Sequence, residues 1–155
     1  MSIINNLQLF LLEKIKQHKI NKKLLSHNSG IPYTTIVALF KSKHLNPSFS
    51  TLLKLADYFD CTIDELVGNT HSSNQVLKTV KVDITKSMEN LRQFLINNIK
   101  KEELYAFSEE LGLGYNAIYT FVYNKSVNRT LNSSTVLLIA QRYKASIDKL
   151  IGRLQ

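Results

Sequence analysis

The chain has 155 residues, 44% of them apolar and 9% aromatic, with a formal net charge of +8. This composition excludes disordered, collagen-like and low-complexity chains and leaves material for one ordinary domain or two small ones. The longest apolar runs, Ile36 to Phe40 and Val136 to Ala140, have five residues against the roughly 18 of a membrane span, so a soluble protein with no membrane partner is expected.

Leu9 to Leu12 form a short apolar stretch, but no positive segment precedes them and no small-residue cleavage site follows, so a signal peptide is not expected. Cys61 is the only cysteine, which rules out an intramolecular disulfide and fits a reducing, cytoplasmic setting.

The first half reads as five helices, over 3–18, 21–28, 33–41, 48–59 and 63–67. Phe49, Leu52, Leu53, Ala56 and Phe59 recur at helical spacing on one face, and no stretch competes as a sheet. Asn21 is placed to cap the second helix, Ser48 the fourth behind Pro47, and Thr62 with Glu65 spells a capping box for the fifth. Gly30 supplies the sharp turn between the second and third helices, where a side chain would be a steric burden. Eight lysines and no acid lie between Lys14 and Lys54, a pattern that faces a polyanion, whereas Asp57, Asp60, Asp64 and Glu65 follow together. Asn69 to Gln75 is wholly polar and reads as linker. The alternation of Val80, Val82 and Ile84 with Lys81 and Asp83 then suggests an extended or weakly helical segment packed between domains.

The chain repeats itself. Phe49 to Gly68 aligns with Ser133 to Gly152 at a constant offset of 84, matching Ala56 with Ala140, Ile63 with Ile147, and Gly68 with Gly152. Gly30-Ile31 and Ile36 align with Gly112-Leu113 and Ile118 at an offset of 82, and Phe10-Leu11 aligns with Phe94-Leu95 again at 84. The expected organisation is an N-terminal domain over 1–69, a linker over 70–86 and a divergent second copy over 87–155.

Several linked segments carry a family resemblance: Leu25 to Ile31, Tyr33 to Lys43, Asn46-Pro47-Ser48, Thr51 to Ala56 and Ile63 to Gly68. This stretch resembles a Cro/CI-type helix-turn-helix domain of the XRE family, the lambda-repressor-like fold. The second copy is similar through Ser108 to Leu113 and Ala117 to Val122. The resemblance implies an all-α chain of two tandem five-helix domains, with double-stranded DNA as partner and no cofactor. It also implies a sequence-specific, repressor-like transcription regulator, bacterial or from a mobile element, whose helix 33–41 enters the major groove.

Carried over by position, the groove-facing residues are Tyr33, Thr34, Val37 and Ala38. Lys22 starts the preceding helix, where the family binds phosphate, and Lys41 and Lys43 flank the groove as backbone contacts. The Thr34 hydroxyl suits either base type, and Val37 or Ala38 suits a thymine methyl; without Arg, Gln or Asn on this face, base specificity should be modest. The corresponding residues of the second copy are Tyr115, Asn116, Tyr119, Thr120 and Lys125, of which Asn116 is suited to adenine.

Leu104 replaces Lys22, and Glu102 and Glu103 stand beside it, which opposes DNA binding. Tyr115, Tyr119 and Tyr123 recur at i, i+4 and i+8 on one helix face, while Ile118, Phe121 and Val122 already supply the core face. An alternative is therefore a protein-interaction or dimerisation module with this fold, such as an antirepressor, in which the C-terminal copy binds a homodimer mate or another protein.

The four histidines lack zinc-site spacing, and Cys61, aligned with Ala145, reads as a buried structural thiol. No phosphate loop, nucleophile elbow or metalloprotease motif occurs, so neither enzymatic activity nor a metal is expected. A second helix-turn-helix unit takes the place of a self-cleaving domain, so induction by autoproteolysis is not expected.

Overall fold

The structure, a computed structural model, describes residues 2–69, 78–124 and 130–154. Among these residues every regular element is helical. In the first half α1 (Ile3–His18), α2 (Lys22–Ser29), α3 (Tyr33–Lys41), α4 (Phe49–Phe59) and α5 (Ile63–Val67) follow the expected order. Each expected cap forms: the Asn21 carboxamide accepts from Leu24 N at 2.8 Å, Ser48 from Thr51 N at 3.2 Å, and Thr62 and Glu65 close a reciprocal capping box. Short helices of this kind are marginal alone, and burial of Leu7, Leu11, Ile36, Leu39, Leu55 and Leu66 in one core supplies what propensity does not.

The second half runs α6 (Ile84–Asn98), a 3-10 turn (Lys101–Glu103), α7 (Leu104–Glu110), α8 (Ala117–Tyr123), α9 (Ser133–Arg142) and α10 (Ile147–Leu150). Its details repeat those of the first half by position. The Asn6 amide donates to Val67 O at 2.8 Å, and Asn90, 84 residues on, donates to Ile151 O at 2.8 Å. Gly68 and Gly152 both have positive φ, and a Cβ at either would collide with the amide of Asn6 or Asn90. The Ser26 hydroxyl donates to Ile31 O across the α2–α3 turn, while Ser108, 82 residues on, accepts from Ile118 N and donates to Leu104 O.

Two expectations need correction. α6 begins at Ile84, capped by Asp83, so residues 84–86 are helix instead of linker. The segment before it is extended, tied to the C-terminal residues by the Thr79–Leu154 bridge and by Val80 N donating to Arg153 O at 2.8 Å. Gly30 has φ 73° but nothing within 4 Å of where a Cβ would stand, so the demand there is conformational and not steric. Residues 70–77 of the expected linker lie outside the described residues.

The two halves meet through α5 and α10, which lie at matching places. Asp148 Oδ2 accepts from Ile63 N at 2.7 Å and Asp64 N at 3.2 Å, at the start of α5. Asp64 in turn accepts from Ile147 N at 2.9 Å, from Asp148 N at 3.4 Å and from the Ser146 hydroxyl, at the start of α10. Each helix thus has its orphan N–H groups satisfied by the other's aspartate. Flanking contacts repeat too: Asn69 donates to Asp64 and to Ala145 O, and Arg153 donates to Asp148 and to Cys61 O. Arg153 also pairs with Asp57 at 2.9 Å and is 1% exposed, which makes it the largest buried side chain at this junction.

Candidate nucleic-acid interface

α3 is amphipathic at helical spacing. Ile36 and Leu39 are buried, while Tyr33, Thr34 and Lys41 are exposed, and Val37 and Ala38 are half-buried between them. Positions 33, 34, 37, 38 and 41 fall on one outward face, so the structure brings the expected groove-facing residues together. Lys43 is exposed just beyond the helix. Lys22 opens α2 half-buried, its ammonium 4.9 Å from the centroid of the Phe40 ring. That cation–π contact holds the side chain beside α3.

The helix is seated by hydrogen bonds at both ends. The Gln8 amide of α1 donates to Leu39 O at 2.9 Å and Ser42 O at 2.8 Å, closing the C-terminal end of α3 where no glycine does so. Ser29 Oγ accepts from Ile31 N, and Lys54 reaches Gly30 O at 3.5 Å, fixing the α2–α3 turn. Gln8 escaped the sequence reading because its polar side chain on α1 looks like any solvated position until α3 packs against it.

The matching surface of the second half differs. α8 starts only at Ala117, so Tyr115 and Asn116, expected at the start of a reading helix, lie in the turn ahead of it. The cause is local: Ala117 N bonds back to Gly114 O in a tight turn, and no side chain caps the helix. The three tyrosines are therefore not a stripe on one helix. They form a ladder with Tyr105 of α7, which sequence reasoning missed. Tyr105 stacks on Tyr119 at 5.0 Å and 12° and on Tyr115 at 5.6 Å and 25°, and Tyr119 lies 5.2 Å from Tyr123. Its signal was present in the repeat, since at the offset of 82 Tyr105 stands where the first half has Lys23. Tyr115 is 63% exposed, Asn116, Glu102 and Glu103 are exposed, and Tyr119 and Thr120 are half-buried. Lys125 lies outside the described residues.

No group of His, Cys, Asp and Glu among the described residues could hold a metal ion. Burial pushes the Cys61 thiol up to about 12, so it stays protonated at neutral pH. Among the described residues no helix is long and apolar enough to cross a membrane.

The Cro/C1-type HTH DNA-binding domain matches residues 11–69, which span most of α1 through α5 and include the whole α2–α3 surface. An HTH-type transcriptional regulator of Rickettsia conorii is 38% identical over 77 residues, 48% of this chain and 71% of its own length. A second, from Rickettsia prowazekii, is 40% identical over 77 residues, 48% of this chain and 84% of its own. The chain belongs to the Cro/C1-type helix-turn-helix family. In this family's DNA-binding domain α2 and α3 form the helix-turn-helix, and the acid-free stretch from Lys14 to Lys54 contains it. No solved structure matches the chain significantly.

Proposed function

We propose that this Cro/C1-type protein is a cytoplasmic, non-enzymatic, sequence-specific transcription regulator of repressor type, reading the major groove through α3. The observation that carries this reading is the outward face of α3, with Tyr33, Thr34, Val37 and Ala38 clamped in place and Lys41, Lys43 and Lys22 around them. Lysines and helix ends neutralise phosphate, while the central residues touch base edges. The matched hydrogen bonds of Asn6 and Asn90, and the reciprocal capping of α5 and α10, support the second half as a divergent copy of the same domain. On this reading one chain does the work of a repressor dimer. Its operator is a pair of unlike half-sites about 34 Å apart, one met by α3 and the other by the second copy's Tyr115, Asn116, Tyr119, Thr120 and Lys125.

A second reading is favoured by the tyrosine ladder: the C-terminal half docks a protein, as in an antirepressor, and only the first half meets DNA. Selection of duplexes from a random library by the full-length protein, at near-physiological salt, separates the two. Two unlike half-sites support reading by both halves. One half-site, or a palindrome of identical ones, leaves DNA to the first half alone. No enrichment above a salt-sensitive background refutes sequence-specific binding altogether.

A further inference from the structure

We propose that the face built by Tyr105, Tyr115, Tyr119 and Tyr123 is a docking surface for an arginine- or lysine-rich segment of a protein partner. The inference rests on the docking reading of the second half and is independent of DNA reading by α3.

Its first support is charge. Residues 18–42 hold four lysines and no acid, whereas the matching residues 100–124 hold two lysines and four glutamates in a protein of net charge +8. Of the four, Glu110 pairs with Arg142, and no ion pair among the described residues engages Glu102, Glu103 or Glu109. The region that carries only basic charge in one half is thus net acidic in the other, and it favours a cation over a polyanion.

Its second support is the aromatic geometry. At matching places Lys23 gives way to Tyr105, Val37 to Tyr119 and Lys41 to Tyr123, while Tyr33 is kept as Tyr115. Two lysine ammonium groups are thus replaced by rings, and the rings contact one another on an exposed surface, Tyr105 stacked on Tyr115 and Tyr119 and Tyr123 tilted against Tyr119. The surface already holds a cation of its own: the Lys101 ammonium lies 4.8 Å from the Tyr123 centroid and 5.8 Å from that of Tyr119. Ring faces attract cations, most effectively guanidinium, which also stacks flat. Because the ladder is preformed, an incoming arginine orders few additional side chains.

The test is titration of the full-length protein with a short peptide of alternating Arg and Gly, and separately with a random-sequence duplex, observed through the tyrosine ring NMR signals. The peptide should shift the Tyr105, Tyr115 and Tyr119 rings saturably, and Y105S/Y115S should weaken it about tenfold, as loss of aromatic anchors does. E102Q/E103Q/E109Q should weaken it about fivefold, with reduced salt dependence. If Y105S/Y115S lowers the melting temperature, Y115S alone serves, since that ring is the most exposed of the ladder. The proposal is overturned if the peptide does not bind, if the tyrosine variants bind it unchanged, or if the duplex shifts these rings. Duplex shifts at Tyr33 and Thr34 report on α3 alone and leave the docking surface separately judged.

Discussion

Asp148 makes the junction between the halves sensitive to pH. Burial and the neighbouring Asp64 carboxylate push its pKa up from 3.8 to about 7, against the opposing pull of Arg153. Between these values the folded chain holds a proton that the unfolded chain has released, so stability falls as pH rises through that window. A shift of about three units corresponds to about 4 kcal/mol at most, a large part of the roughly 5–15 kcal/mol that stabilises an ordinary domain. Replacing Asp148 by Asn keeps an acceptor for Ile63 N and Asp64 N and removes the titration, at the loss of the acceptor that Oδ1 offers Arg153, a loss that is the same at every pH. Urea unfolding at pH 5 and pH 8 should therefore show the wild type losing stability at the higher pH, while D148N stays nearly level and gains on the wild type there. The difference between the two profiles reports the interacting Asp148–Asp64 pair apart from the more distant titrating groups. A wild type that is equally or more stable at pH 8, with D148N running parallel to it, would refute the reasoning.

Three further outcomes are expected. K22A, K41A and K43A should each weaken DNA binding on all sequences and lower the salt slope by about 1 where the lysine meets a phosphate; unchanged slopes in all three would dissociate α3 from DNA. Ser108→Ala strips the buried Ile118 N of its acceptor and should cost about 1–3 kcal/mol in chemical denaturation, with a loss near zero counting against the bond. Gly68→Ala forces both a left-handed backbone and a clash with Asn6, and should cost about 1–3 kcal/mol; a companion N6A substitution should recover the steric part, and failure to do so would show that φ alone sets the cost.

Most of the first half was legible in the sequence because its signals are local. Apolar spacing and the caps Asn21, Ser48 and Thr62 set the helices to within a residue, and the face of α3 followed from the same periodicity. What escaped depends on contacts between residues distant in the chain. Gln8 reaches α3 over more than 30 positions, and Asp64 and Asp148 look like ordinary first-turn acids until each is seen to cap the other's helix. The expected tyrosine stripe assumed a helix from Tyr115 onward, whereas the turn closed by Ala117 N on Gly114 O delays α8 to Ala117. The ladder then needed Tyr105, which periodicity within one helix could not supply.

Places 69 and 153 match across the junction, yet one holds a carboxamide and the other a guanidinium, each donating to a backbone carbonyl of the opposite half. When two identical chains associate, whatever occupies such a place occurs twice, and an arginine there would bring two desolvated cations to one seam. In a single polypeptide the two sides are free to differ. Here one cation, Arg153, serves Asp57 and Asp148 together, while Asn69 completes the opposite side without charge. The junction has thereby acquired a polarity closed to a pair of equals: substitutions at 153 disturb a charge balance, and those at 69 only a hydrogen bond.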